Sequence, residues 1–382
     1  MVVGTGVGTV VCLEVPVGSE FGIDYEAFRT ADKFRGVKLI PPGLHFIFYA
    51  SNGDNDNGHG IRQGFFVEIK PNDVVIRTWS SETEELVPMT READIENLTR
   101  AVHGFQLDGN LGAYPQKHAK SWHRLSKYIT KDILAKCGLT VGGTISPGDP
   151  DAVSLDRGDA AIKPFFPDVA QVARFTRLTK PTSQRVASDL TRYHVDSSEH
   201  LEWLLKTHYS NDWRALLGEV QLSFVLFLFI SSLDALHQWK QFVWMLCSCE
   251  DAVTTRPELF AAFLQLTQVH LEQVGTDFFQ DELATDNFIK ASLASLFEIL
   301  HDDTLNDKLL ERAAKLKQFL KDRFQLQFDV MGTYCFGDDD SAPAVILPDQ
   351  LPSFVFTQDA TDSDDAIRRI ARDLHGQTSD MA

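Results

Sequence analysis

The sequence predicts an α+β protein: a β-rich, sandwich-like N-terminal domain followed by an all-α domain. Three observations carry this. Before about residue 80 apolar side chains alternate with period two, as Leu44, Phe46 and Phe48 do against His45, Ile47 and Tyr49. From about residue 183 to 324 the spacing becomes helical, as in Leu236, Trp239, Val243 and Leu246. Between them "VGGTISPGDPDAVSLDRGDAAIKPFFPD" follows neither period and is rich in Gly, Pro and Asp, the composition of a linker. The expected organisation is a β-rich domain over 1–139, a flexible linker over 140–182, a helical domain over 183–328 and an acidic, largely disordered tail over 329–382.

Taken in order, the glycines Gly4, Gly6 and Gly8 precede the first strand and read as a frayed end, since a nucleotide loop would follow a strand. Thr9 to Val15 reads as a strand. Pro41-Pro42 cannot donate to a ladder, so the sheet is expected to begin after them, with Leu44 to Tyr49. "SNGDNDNGHG" is a polar hairpin loop; Asp54 and Asp56 hint at calcium, but Phe65 stands where a bidentate acid is needed. Gly64 to Ile69 and Asp73 to Trp79 follow as strands around the turn Lys70-Pro-Asn-Asp73. Ile95, Leu98, Val102 and Phe105 mark one helix, with Thr90 as cap. Trp122, Leu125, Ile129 and Ile133 mark another, and both are expected to cover an open face of the sheet. Beyond the linker, six or seven stacked helices are expected, with Pro257 in the first turn of one. The tail from Met331 holds ten acids and three bases, a net of 3 − 10 = −7, and encloses the apolar island "PAVILP".

The whole chain has 382 residues and a net charge of −18, which disfavours broad binding to phosphate backbones. The run "LSFVLFLFI" is bracketed by Glu219 and Asp234 and is too short to span a bilayer, so it reads as a buried core helix. The five cysteines are scattered, and Cys12, Cys247 and Cys249 sit in apolar runs as reduced, buried thiols would. With no basic segment before the first apolar stretch, the expected location is intracellular.

No G-x-S-x-G, H-E-x-x-H, phosphate-cradling G-K-[ST] or C-x-x-C occurs. His118 and His123 are five apart and fall on different sides of a helix, so no metal site is expected. His45 is the one histidine set among strand residues. It reads as structural; the alternative is a hydrolase or isomerase with a site near His45, between the two domains. No cofactor is expected.

Several fragments together resemble the a1/alpha2-repression protein family of pre-mRNA splicing factors. They are "GSEFGIDYEAF", "KFRGVKLIPPGLHFIFYAS", "RQGFF", "RTW" and "LGAYP" in the first half, then "LLGEVQLSFVLFLF", "QWKQFVWMLCSCEDA", "DFF" and "DNF". The resemblance implies a VHS-like helical domain, no catalysis, and a role as assembly chaperone of the U5 small nuclear ribonucleoprotein. The implied partner is the large central protein of that particle, held through its RNase-H-like and Jab1/MPN domains. It is kept in the cytoplasm before import, with possible nuclear residence, and premature helicase and RNA loading are blocked. No membrane or direct nucleic-acid contact is implied, and the free chain is expected to be a monomer. The tail island suits strand addition to a partner's sheet edge, with Ala344, Val345, Ile346 and Leu347 as the inserted strand. A cargo adaptor, suggested by the VHS-like helices alone, is a third reading by fold analogy.

Overall fold

The computed structural model describes residues 6–51, 60–148, 171–179, 196–276, 287–301 and 305–328. The hairpin loop over 52–59, the middle of the expected linker, Cys335 and the whole tail with Ala344–Leu347 lie outside them. The described residues form a β-rich region with two sheets followed by a helical region.

Nine strands are present among the described residues: β1 Gly8–Leu13, β2 Glu20–Ile23, β3 Glu26–Arg29, β4 Gly36–Ile40, β5 Gly43–Ala50, β6 Gln63–Ile69, β7 Val74–Ser80, β8 Glu85–Pro88 and β9 Gly112–Ala113. One sheet runs β8-β7-β1-β4-β9, the other β3-β2-β5-β6. The second is antiparallel throughout, whereas in the first β1 is parallel to β7 and β4 to β9. One apolar cluster fills the space between the sheets: Val10, Cys12 and Val37 from the first meet Phe21, Ile47, Tyr49, Phe65 and Val67 from the second. That is a sandwich, built as the period-two pattern requires.

The structure corrects four details. Gly8 is not frayed; it opens β1, and a Cβ there would lie 2.4 Å from the Ile69 side chain. The sheet does not begin after Pro41-Pro42: β4 ends at Ile40 and β5 starts at Gly43, so the prolines separate two strands that belong to different sheets. The helix over Glu92–His103 (α1) starts after Arg91 without a side-chain cap, so Thr90 does not cap it. The Trp122–Ile133 stripe is buried throughout but lies on two helices, α2 Ala119–Ser126 and α3 Lys131–Lys136, and Thr130 caps the second by accepting from the Ile133 N–H.

Two compact bodies divide the chain, and they interleave along it. The first comprises Met1–Thr176 and Leu217–Gln238; the second comprises Arg177–Leu216 and Trp239–Ala382. In the first body Ile145 is fully buried and bridges Gly64 and Gln171, so both ends of the expected linker are tied to the sheet. The helix Trp213–Ile230 (α5) and the helix Leu233–Cys247 (α6) each cross the division. The end of α5 covers the outer face of the four-stranded sheet. Phe229 lies 5.3 Å from Phe48 and 6.0 Å from Phe46, ring centre to ring centre, and 6.2 Å from Trp122 of α2. The apolar run is thus a core helix, with 83% of its window buried.

Among the described residues, the second body holds the remaining α-helices: α4 Ser198–His208, α7 Glu250–Thr255, α8 Pro257–Leu271, α9 Asn287–Ile299 and α10 Asp307–Phe324. Pro257 opens α8, where its missing N–H leaves no helical bond unmade. Leu259, Phe260 and Phe263 of α8 and Leu309, Leu316 and Leu320 of α10 are all fully buried.

Candidate functional site

His45 is the residue on which the enzymatic alternative depends, and the structure shows what it does. β5 carries it inward to 4% exposure. Its Nδ1 lies 2.7 Å from Asp24 Oδ2 and its Nε2 lies 2.8 Å from the Pro41 carbonyl oxygen. Both neighbours can only accept, so both ring nitrogens carry protons and the ring is an imidazolium. Burial alone would lower its pKa; the hydrogen bond and charge of Asp24, with the Pro41 carbonyl, outweigh that and raise it. Asp24 is fully buried and sits at positive φ in the turn between β2 and β3, which an aspartate tolerates. Its Oδ2 also accepts from the Tyr114 hydroxyl at 2.7 Å, and its Oδ1 from the Phe46 N–H at 3.0 Å. Burial and the Asp24 charge push the Tyr114 phenol well up.

This is a closed network. With Nε2 bound to a backbone carbonyl, His45 offers no lone pair to a substrate proton. Each of its three members comes from a different fragment of the family-like set: Asp24 from "GSEFGIDYEAF", His45 from "PPGLHF" and Tyr114 from "LGAYP". The pattern repeats. Arg62 of "RQGFF" makes a two-pronged pair with Glu20 of "GSEF", at 2.9 and 2.8 Å. Arg77 of "RTW" lies 4.3 Å over the Phe65 ring and donates to the Gly142 carbonyl at 2.8 Å. In "LLGEVQLSF", the fully buried Glu219 accepts from Lys136 and from the Thr176 hydroxyl, and Gln221 accepts from the Tyr128 N–H. Sequence reasoning saw the fragments and not these bonds, because partners such as Asp24 and His45 lie 21 residues apart and Tyr128 and Gln221 lie 93 apart.

Among the described residues, Cys12 and Ser198 are also committed to the framework. Burial pushes the Cys12 thiol up to about 12, although Arg77 pulls the other way, so it stays protonated. The Ser198 hydroxyl donates to Asp196 at 2.6 Å and accepts from the Ala252 N–H at 2.8 Å. Asp196 itself accepts from the N–H groups of Ser198 (2.8 Å) and Glu250 (2.9 Å), so one carboxylate serves the first turns of α4 and α7. Beside this cap an open groove is lined by Glu199, Glu202, Asp251, Thr255 and Arg256, and Arg256 is already clamped to Glu202 and Asn211.

Comparison with known proteins follows the same two stretches. Residues 6–138 match the AAR2 N-terminal domain, and residues 175–329 match the AAR2 C-terminal repeat region. The chain belongs to the AAR2 family. A protein from Mus musculus named Protein AAR2 homolog is 29% identical over 372 residues, covering 90% of this chain and 94% of its own length. The Homo sapiens protein of that name is 28% identical over the same span. The A1 cistron-splicing factor AAR2 of Saccharomyces cerevisiae is 19% identical over 256 residues, covering 63% of this chain and 70% of its own. The His45, Asp24 and Tyr114 network, the Arg62–Glu20 pair and the Glu219 and Gln221 bonds all lie inside the two AAR2 matches.

Proposed function

We propose that this chain acts in pre-mRNA splicing as a non-enzymatic assembly chaperone of the U5 small nuclear ribonucleoprotein. AAR2 membership, with a family member named as a splicing factor, supports a splicing-related role. The finer reading follows the resemblance seen in the sequence. The chain grips the RNase-H-like and Jab1/MPN domains of the large central U5 protein, holds it in the cytoplasm and blocks premature helicase and RNA loading. The helical body is VHS-like in this reading. It works as a monomer, with no cofactor, membrane or direct nucleic-acid contact.

The observation that carries the reading is that the family match extends over both regions of the chain, while His45 and Ser198, among the described residues, are held in internal bonds. Recognition then falls to surface and tail. Ala344–Leu347, bounded by Pro343 and Pro348, is the segment suited to add a strand to a partner's sheet edge, where backbone bonds give affinity and alternate side chains selectivity. The test is recovery of the U5 central protein by the full chain and by a chain ending before Ser341. Strong recovery by the first and weak recovery by the second is expected. Equal recovery removes the tail strand from the reading, and no recovery by either removes the partner.

A further inference from the structure

The helix α1 carries apolar residues that it does not bury. Ile95, Leu98 and Val102 share one stripe, and Phe105 and Leu107 follow just past its end. None of the twelve residues of α1 is buried, and the stripe lies half-buried beside β7. Phe105 is 76% exposed, the most exposed large apolar side chain among the described residues. Its backbone is also strained. The Gln106 N–H donates to the Ala101 carbonyl at 2.9 Å and the Phe105 N–H to the Val102 carbonyl at 3.0 Å, which closes the helix in a Schellman turn. That turn puts Phe105 at φ 57, the left-handed place that glycine takes by default, while Gly104 stands one position earlier at φ −84. A bulky ring held at positive φ and turned to water is unfavourable twice over, and a plain helix stop needs neither feature.

The spacing identifies the kind of contact. Apolar anchors in helical register, continued past the helix end, fit an apolar groove that offers a row of pockets. Leu98, Val102, Phe105 and Leu107 are spaced four, three and two. That is the spacing of the leucine-rich signals that nuclear-export receptors read in such a groove, an address and not an anchor. Charge agrees with spacing. From Glu82 to Glu96 the chain holds six acids and one base, Arg91, so a groove with a basic rim on that side is the complement. The segment can also be given up locally. With no side-chain N-cap and no buried side chain, α1 opens at a small fraction of the global stability. Its ion pairs, Arg91–Asp94 and Arg100–Glu96, lie within the helix region and leave the sheet with it.

We infer that Leu98–Leu107 is a docking segment for the apolar groove of a nuclear-export receptor, with Phe105 as the anchor presented in advance. Docking buries Phe105 and Leu107 and draws Leu98 and Val102 off the sheet. A chain that enters the nucleus is thereby returned to the cytoplasm. The chaperone reading places the chain there without naming what keeps it there, so the inference goes beyond that reading.

The test presents the purified full chain to the immobilised export receptor for leucine-rich signals, with its small GTPase in the GTP or the GDP form. The natural chain should be captured with the GTP form alone, and a covalent ligand of the receptor's groove should prevent capture. Phe105→Gly should weaken capture about tenfold or more, the loss expected for one buried aromatic anchor. The same change should hold or raise the thermal unfolding midpoint, because glycine suits the turn and little burial is lost. Phe105→Leu should restore capture. The groove-ligand arm uses the natural chain and needs no variant to fold. No capture of the natural chain overturns the inference. So does equal capture of Phe105→Gly, or capture indifferent to the nucleotide or to the groove ligand. The assay contains no U5 protein, so its failure is separate from failure of the U5 recovery experiment.

Discussion

Each body buries a histidine, and the two are built in opposite charge states. In the β-rich body His45 faces two acceptors and is an imidazolium paired with Asp24. In the helical body His270 is fully buried, and its Nδ1 accepts from Trp239 Nε1 at 3.0 Å, so that nitrogen carries no proton. Burial lowers the pKa of His270 to about 3. The same side chain in the same degree of burial is therefore a cation in one place and a neutral spacer in the other. The neighbours decide which: a carboxylate and a carbonyl, or an indole N–H.

The largest expected effect comes from breaking that difference at Asp24. Asp24→Asn keeps the shape but leaves the imidazolium buried without its anion, at a cost of about 3–5 kcal/mol. Urea unfolding should show it, and Asp24→Asn with His45→Gln should cost less than the sum of the two changes. The pH dependence should separate the bodies next. His45 has a raised folded pKa, so its contribution is complete below its unfolded value near 6.5 and is lost as pH rises through the folded one. His270 has a depressed folded pKa, so its contribution is complete above about 6.5 and is lost as pH falls toward about 3. Hydrogen exchange corrected for intrinsic rates should loosen β5 peptides on the alkaline side and α8 peptides on the acid side. In the helical body Asp196→Ala should cost about 2 kcal/mol, because one carboxylate serves two helix starts. The smallest effect is expected at the largely buried Arg62–Glu20 pair, where Arg62→Met should cost about 1 kcal/mol by thermal unfolding.

The α+β class, the strands Leu44–Tyr49, Gly64–Ile69 and Asp73–Trp79, and the Pro257 helix start were legible because each follows from local periodicity or a fixed φ. β2, β3 and β8 were not read from the sequence. They are four residues each, and their pairing is set by partners elsewhere in the sheets. The run ending at Ile230 announced its burial but not its neighbour: periodicity reports that a face is apolar and is silent on whether Phe46 and Phe48 or another helix covers it. His45 was legible as structural, while Asp24 and Tyr114 were not legible as its partners. Their only trace was membership in the fragments that carry the family resemblance. The tail strand Ala344–Leu347 remains a reading of composition and resemblance.

The central claim is that His45, the histidine set among strand residues, is a charged strut held by Asp24 and the Pro41 carbonyl. Nitrogen-15 NMR of the imidazoles in the folded, full-length protein at neutral pH tests it most directly. Both ring nitrogens of His45 should show the shifts of an imidazolium, and His270 those of a neutral ring. A neutral His45 with a deprotonated Nε2 would contradict the account.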